Sequence, residues 1–149
     1  VASKGYVLAA IPGSGAGNLA IEGAEKAGGQ VLLFTDSERP AKETKSTSLI
    51  PTQGPLHRMQ AILRVSDALI ILPGDLNALA SMLQVWSYGT TKRGPYRQVV
   101  LIGPEWPAII KALAEAASLD DPEQSMVTYA NTAQEAVEAM RYYIHPTDS

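Results

Sequence analysis

Apolar residues gather in five short runs with little alternation: Tyr6–Ile11, Gln30–Phe34, Ala68–Leu72, Gln98–Ile102 and Met126–Tyr129. Several are Val, Ile and Leu in succession, the pattern of strands covered on both faces. Between them, apolar positions recur at helical spacing over Gly17–Ala27, Leu56–Val65, Leu76–Tyr88, Pro107–Ala117 and Thr132–Ile144. Strand and helix alternate along the whole chain. The pattern predicts an α/β fold, a Rossmann-like three-layer α/β/α sandwich with a mostly parallel sheet of about five to seven strands.

The residues between these segments support that division. Gly28-Gly29 is placed to end the first helix in the left-handed region. Thr132 is placed to cap the last helix, with Glu135 completing a capping box. Asp120-Asp121-Pro122 breaks the chain before the last strand. Thr35–Gln53 mixes charges with Thr, Ser and Pro and has no clear period, which predicts a long loop that is functional or mobile. Nothing marks a repeat or a second domain, so residues 1–149 read as one domain, long enough to bury a core.

In open α/β sheets, ligands bind beyond the carboxyl ends of the strands. The first strand runs into Gly13, Ser14, Gly15, Gly17 and Asn18 and then a helix. Glycines let the backbone approach an anion, and the helix start offers N–H groups and the positive end of its dipole. The competing explanation is a tight turn that needs glycine for geometry alone. The third apolar run exits through Pro73, Gly74, Asp75, Asn77 and Ala78, again into a helix. Asp75 is repulsive to a phosphate unless it contacts a hydroxyl, a base edge or a metal, and capping the following helix is its favoured role. Arg58 has the geometry to grip a phosphate or carboxylate with two parallel bonds; a surface salt bridge is the alternative. His57 and His145 have no ligand or triad spacing and read as surface residues. Lys92, Arg93 and Arg97 are expected to face solvent, and Trp86, Tyr88 and Trp106 to lie in the core, with a subunit interface as the alternative.

Composition narrows the partners. A net charge of -3 gives no electrostatic case for nucleic acid or an anionic membrane. No apolar run is long enough to span a bilayer, and no signal-peptide pattern stands at the start. The absence of cysteine excludes disulfides, thiolate metal sites and a cysteine nucleophile, and fits a cytoplasmic location. The sequence implies no metal and no cofactor; the expected partner is a small-molecule nucleotide or sugar phosphate.

The string Arg58…Arg64-Val65-Ser66-Asp67-Ala68-Leu69-Ile70-Ile71-Leu72-Pro73-Gly74 resembles the LOG family, the cytokinin-activating phosphoribohydrolases often labelled lysine decarboxylases. Those proteins carry an Arg-Lys pair, a Ser-Asp-Ala strand and then Pro-Gly-Gly-x-Gly-Thr-x-x-Glu. Gly13–Gly29 followed by Gln30-Val31-Leu32-Leu33 looks like that family's second glycine loop, helix and third strand. Gln84-Val85-Trp86, the Arg97–Ile102 strand and the Asn131–Ala139 helix fit its usual ending, so the resemblance covers nearly the whole chain.

The resemblance implies cleavage of the N-glycosidic bond of a nucleoside 5′-monophosphate, with the glycine loops holding the phosphate. By position the catalytic Arg is Arg58, but Met59 stands where the family has Lys. Asp75, Asn77, Ala78 and Ser81 replace the motif's second Gly, third Gly, Thr and Glu. A carboxylate is the usual stabiliser of the oxocarbenium-like sugar, and Ser81 supplies none. The expectation is therefore a nucleotide or phosphorylated-nucleoside binding protein without the family's standard catalysis. One alternative is an active phosphoribohydrolase using Arg58, a relocated Asp75 and Ser81; another is an interaction domain that lost the site. No Lys has a recognisable setting for a pyridoxal Schiff base.

The resemblance also implies a homodimer or higher homo-oligomer. It further implies a strand and helix ahead of Lys4, the strand being central to the sheet. An empty central position leaves backbone groups unpaired. The resemblance therefore requires that this unit precede Val1, come from another chain, or be absent from a rearranged sheet.

Overall fold

The polar stretch after the second apolar run contains a strand. Its residues, Thr47–Thr52, pair in parallel with Val31–Asp36, so the loop expected over Thr35–Gln53 is corrected at its second half. The computed structural model describes residues 1–13, 15–36, 44–90, 98–118 and 127–144. Expectations for Ser14, Lys92, Arg93, Arg97, residues 120–122 and His145, and for Met126 as the start of the last strand, lie outside the described residues.

The fold is α/β and Rossmann-like, with every named strand pair parallel. The chain divides into two compact units, Val1–Ser66 and Asp67–Ser149. The first holds β1 (Leu8–Ala10), α1 (Ala16–Lys26), β2 (Val31–Asp36), β3 (Thr47–Thr52) and α2 (Gly54–Val65), after a 3-10 turn at Ala2–Lys4. The second holds β4 (Ala68–Ile71), α3 (Leu76–Thr90), β5 (Gln98–Ile102), α4 (Trp106–Ala117), β6 (Val127–Ala130) and α5 (Ala133–Ile144). Each unit has one three-stranded sheet, in the orders β1-β2-β3 and β4-β5-β6.

In the first unit the two helices use opposite faces of the sheet. Ile21 and Ala24 of α1 pack with Val31 and Leu33, against Leu8, Ala10 and Leu49. Glu25 of α1 accepts a hydrogen bond from the Thr47 hydroxyl on this same face. Successive strand residues point to opposite sides, so Phe34, Asp36 and Thr52 look the other way. There Arg58 of α2 reaches both Asp36 and Thr52. The result is a helix–sheet–helix sandwich within this unit alone. β2, the middle strand, carries its most buried side chains, Val31 and Phe34 at 1% and 2% exposed.

Local chemistry sets the ends of α1. Gly28 sits at φ 71, and the Gly28 and Gly29 amides donate to the Glu25 and Ala24 carbonyls, which ends the helix as Gly28-Gly29 predicts. Gly29 also answers a packing demand: a β-carbon there would overlap Ala2 of the N-terminal turn.

In the second unit β5 is buried along its whole length, as expected of a central strand covered on both faces. α5 packs across all three strands and α3 against β4. Trp86 and Trp106 are core residues, whereas Tyr88 is exposed. The Trp106 indole N–H donates to the Ile102 carbonyl, which fixes the start of α4 to the end of β5. Thr132 caps α5 as predicted, its hydroxyl accepting from the Glu135 amide at 3.1 Å. Glu135 reaches back to the Asn131 amide rather than to that of Thr132, one residue earlier than the usual box. No helix among the described residues is long and apolar enough to cross a membrane.

Candidate functional site

Because β1, β2 and β3 are parallel, their carboxyl ends share one edge of the first sheet. Three features meet that edge: the glycine turn after β1, Asp36 at the end of β2, and the start of α2 after β3. The glycine turn is built around Asn18. Its Oδ1 accepts from the Gly13 amide at 3.1 Å, while its Nδ2 donates to the Gly13 carbonyl. One side chain in the first turn of α1 thus closes the loop that leads into it.

The glycines of this turn differ in why they are glycine. Gly15 lies at φ 70 and ψ -138, a backbone conformation that L side chains rarely adopt. Gly13 and Gly17 have no such constraint. A β-carbon on Gly13 would meet nothing within 4 Å, and one on Gly17 would find only the Ile11 carbonyl at 3.9 Å. Neither backbone conformation nor packing requires glycine at those two positions. The first bond of α1 runs from the Leu19 amide to the Gly15 carbonyl. The amides ahead of Leu19 therefore have no partner within the helix.

Arg58 is tied into the same edge. Its Nη2 lies 3.1 Å from Asp36 Oδ2, and its Nε donates to the Thr52 hydroxyl at 3.4 Å. The Thr52 hydroxyl in turn donates to the Thr35 carbonyl at 2.8 Å. Ile62, one turn further along the same face of α2, is buried and seats the helix against the sheet. The Arg58 side chain is 16% exposed and Asp36 35% exposed, so the guanidinium is largely shielded and the carboxylate only partly. His57, its neighbour, faces solvent.

At the second unit's carboxyl edge the loop after β4 has a different character. Gly74 is glycine for packing, since a β-carbon there would come within 2.9 Å of the Ala78 methyl. Asp75 caps α3. Its Oδ1 accepts from the Asn77 amide at 2.9 Å and its Oδ2 from the Asn77 side chain at 3.2 Å, while its carbonyl takes the Ala78 and Leu79 amides. The Asn77 amide bond, more than any other influence, holds the Asp75 carboxyl below the ordinary carboxylate range. Pro73 is exposed, and Ser81 is a half-buried residue of α3.

No family model matches this chain, and no curated protein matches it.

Of the residues singled out from the sequence, the structure gathers Gly13, Gly15, Gly17 and Asn18 in one turn, with Arg58 on the same sheet edge. It places Pro73, Gly74, Asp75, Asn77, Ala78 and Ser81 in the other unit. Two residues that the sequence pattern does not single out matter here. Asp36 is the ion-pair partner of Arg58, and Thr52 fixes the guanidinium from the side. In the second unit, a β-carbon on Gly103 at the end of β5 would come within 2.9 Å of Glu105 Oε2 and 3.7 Å of the Pro73 ring. Among the described residues, no group of three or more His, Asp or Glu side chains is placed to hold a metal ion.

Proposed function

We propose that this protein binds a nucleotide or phosphorylated nucleoside, its phosphate seated in the turn formed by Gly13, Gly15, Gly17 and Asn18, and that it is a LOG-like protein without that family's glycosidic cleavage. The observation that carries the reading is the open space at Gly13 and Gly17. Close approach of a ligand to the backbone accounts for glycine where the fold itself makes no demand for it. The amides at the start of α1 and its dipole favour an anion at that place. Arg58 has five N–H donors, of which its Nε meets Thr52 and an Nη2 donor meets Asp36. The rest of the fork serves a second anionic contact.

The loss of catalysis rests on the second unit. Ser81 stands at the position of the family's Glu, and both oxygens of Asp75 are engaged in capping by Asn77. The reading includes assembly as a homo-oligomer and a cytoplasmic location, both untouched by the loop chemistry.

The test is a thermal-shift series with nucleoside 5′-monophosphates, ribose 5-phosphate and dinucleotides, on the wild type and on Gly17→Ala. A ligand at 100 times its dissociation constant stabilises by about 2.7 kcal/mol. The expected result is a rise in Tm with a monophosphate that Gly17→Ala removes, and no free base released. Absence of any shift across the series rejects the nucleotide reading. Release of free base that Asp75→Asn abolishes makes the protein an enzyme and rejects the loss of catalysis.

A further inference from the structure

The outward side of α1 carries a glycine that the chain itself does not need. Ile21 and Ala24 turn toward the sheet, and at 3.6 residues per turn Leu19, Glu22, Gly23 and Lys26 come to the opposite side. Gly23 is exposed, lies within the helix and has no positive φ. A β-carbon there would meet nothing within 4 Å. Glycine in a helix interior is less favourable than alanine, and nothing within the chain offsets that cost. Leu19, one turn earlier on the same side, is 69% exposed. A bare stretch of helix backbone beside an exposed leucine is suited to a second helix that approaches closely.

We infer that α1 is a contact surface between two copies of this chain, the two helices running antiparallel about a two-fold axis level with Ala24. The inference rests on the homo-oligomer of the reading above and gives it a surface; it does not depend on the ligand. The charges identify the occupant. Lys26 and Glu22 share one flank of α1, 80% and 59% exposed. A two-fold axis across the helices reverses chain direction and keeps that flank on its own side. Glu22 of each copy then stands level with Lys26 of the other, while like charges are held about 6 Å apart along the helix. Within one chain the two charges lie 3.8 Å apart, so the dimer joins four charges of alternating sign. The two Gly23 residues flank the axis, where the helices are closest, and Leu19 comes beside the exposed Ala27 of the second copy. The charges set direction and register; Leu19 and the close approach at Gly23 supply the attraction. One helix a side makes a small interface, so the association is reversible and depends on concentration.

The experiment is sedimentation equilibrium of the purified chain over a concentration series. The wild type is compared with Glu22→Lys, Lys26→Glu, the double variant Glu22→Lys/Lys26→Glu, and Gly23→Ala. The wild type is expected to dimerise reversibly. Each single reversal sets like charges together at both pairs and weakens the dimer about tenfold. The double reversal restores it. Gly23→Ala raises Tm at dilutions where the chain is monomeric, yet weakens the dimer about tenfold. All three positions are exposed, and melting curves check that each variant folds. A wild type that stays monomeric at every concentration rejects this inference together with the assembly in the reading above, and leaves ligand binding standing. A dimer indifferent to the reversals and to Gly23→Ala rejects the inference and moves the assembly to another surface. A double reversal that fails to restore what the single reversals weaken rejects the two-fold pairing.

Discussion

Asn18 holds Gly13 by both halves of its backbone, accepting from the amide at 3.1 Å and donating to the carbonyl. The two bonds set the curvature of the turn that leads from β1 into α1. Asn18→Ala removes both while leaving α1 its helical residues. Both bonds are exposed, so the cost to stability is about 1 kcal/mol. Ligand affinity falls further, because the donors of the turn lose their alignment. Chemical denaturation alongside phosphate-ligand titration checks this: a loss of stability with unchanged affinity removes Asn18 from the site.

Gly13→Ala and Gly17→Ala separate folding from binding. Their β-carbons meet nothing closer than 3.9 Å, and alanine restricts the unfolded chain. Each substitution therefore leaves stability unchanged or raises it by about 0.4–1 kcal/mol. Both block the approach of an anion and weaken nucleotide binding. Gly15→Ala behaves differently, since its backbone lies at φ 70, and it costs about 1–3 kcal/mol. Melting curves of the three variants side by side decide the matter. A destabilised Gly17→Ala contradicts the open-space argument.

Gly74→Ala is destabilising for a steric reason. The new methyl lies within 2.9 Å of the Ala78 methyl at the start of α3. Overpacking of this kind costs about 1–3 kcal/mol. Adding Ala78→Gly makes room and recovers part of the loss, so the two changes are non-additive. Additive effects in the double variant refute the proposed clash.

Asp75 gives the protein an acid-sensitive helix cap. Its folded pKa lies below the ordinary 3.8, chiefly through the Asn77 amide. A depressed folded value means that the carboxylate contributes stability above 3.8 and loses it as pH falls through the folded value. Asp75→Asn keeps a good cap without the titration. The wild type is therefore expected to lose more stability than Asp75→Asn on going from neutral to strongly acidic solution. Parallel curves over that range exclude the capping carboxylate as the cause.

Thr132→Ala removes the hydroxyl that accepts from the Glu135 amide and costs about 1 kcal/mol, with α5 losing its first turn. Hydrogen exchange localises the effect: faster exchange at the start of α5 and unchanged rates in the first unit are expected.

Much of this architecture is legible in the sequence because it is written locally. Gly28 ends α1, Thr132 starts α5, and the runs at Val31, Leu69 and Val99 mark strands by composition alone. β3 is not legible that way. Of its six residues only Leu49 and Ile50 are aliphatic, and Thr47, Ser48, Pro51 and Thr52 hide the run among polar neighbours. It forms because β2 offers a ladder and Thr47 and Thr52 find partners in Glu25 and Thr35. Missing β3 also hid the setting of Arg58. The glycine turn can be read from spacing, but the Arg58–Asp36 pair exists only because β3 returns the chain along β2 and delivers α2 beside it.

Pro51 gives that hidden strand a further property. The Val31 amide donates to the Ser46 carbonyl, so the even-numbered residues of this segment turn their backbone groups toward β2 and the odd-numbered ones turn theirs outward. Pro51 falls on the outward side, where its ring nitrogen offers no hydrogen. On that side Thr47 is bridged to Thr44, and beyond it Pro51 leaves a gap in the row of donors, which hinders a strand from another molecule from adding in continuous register. Addition of a strand on that side of the first sheet forfeits a ladder bond at Pro51, so the proline works against edge-to-edge aggregation there.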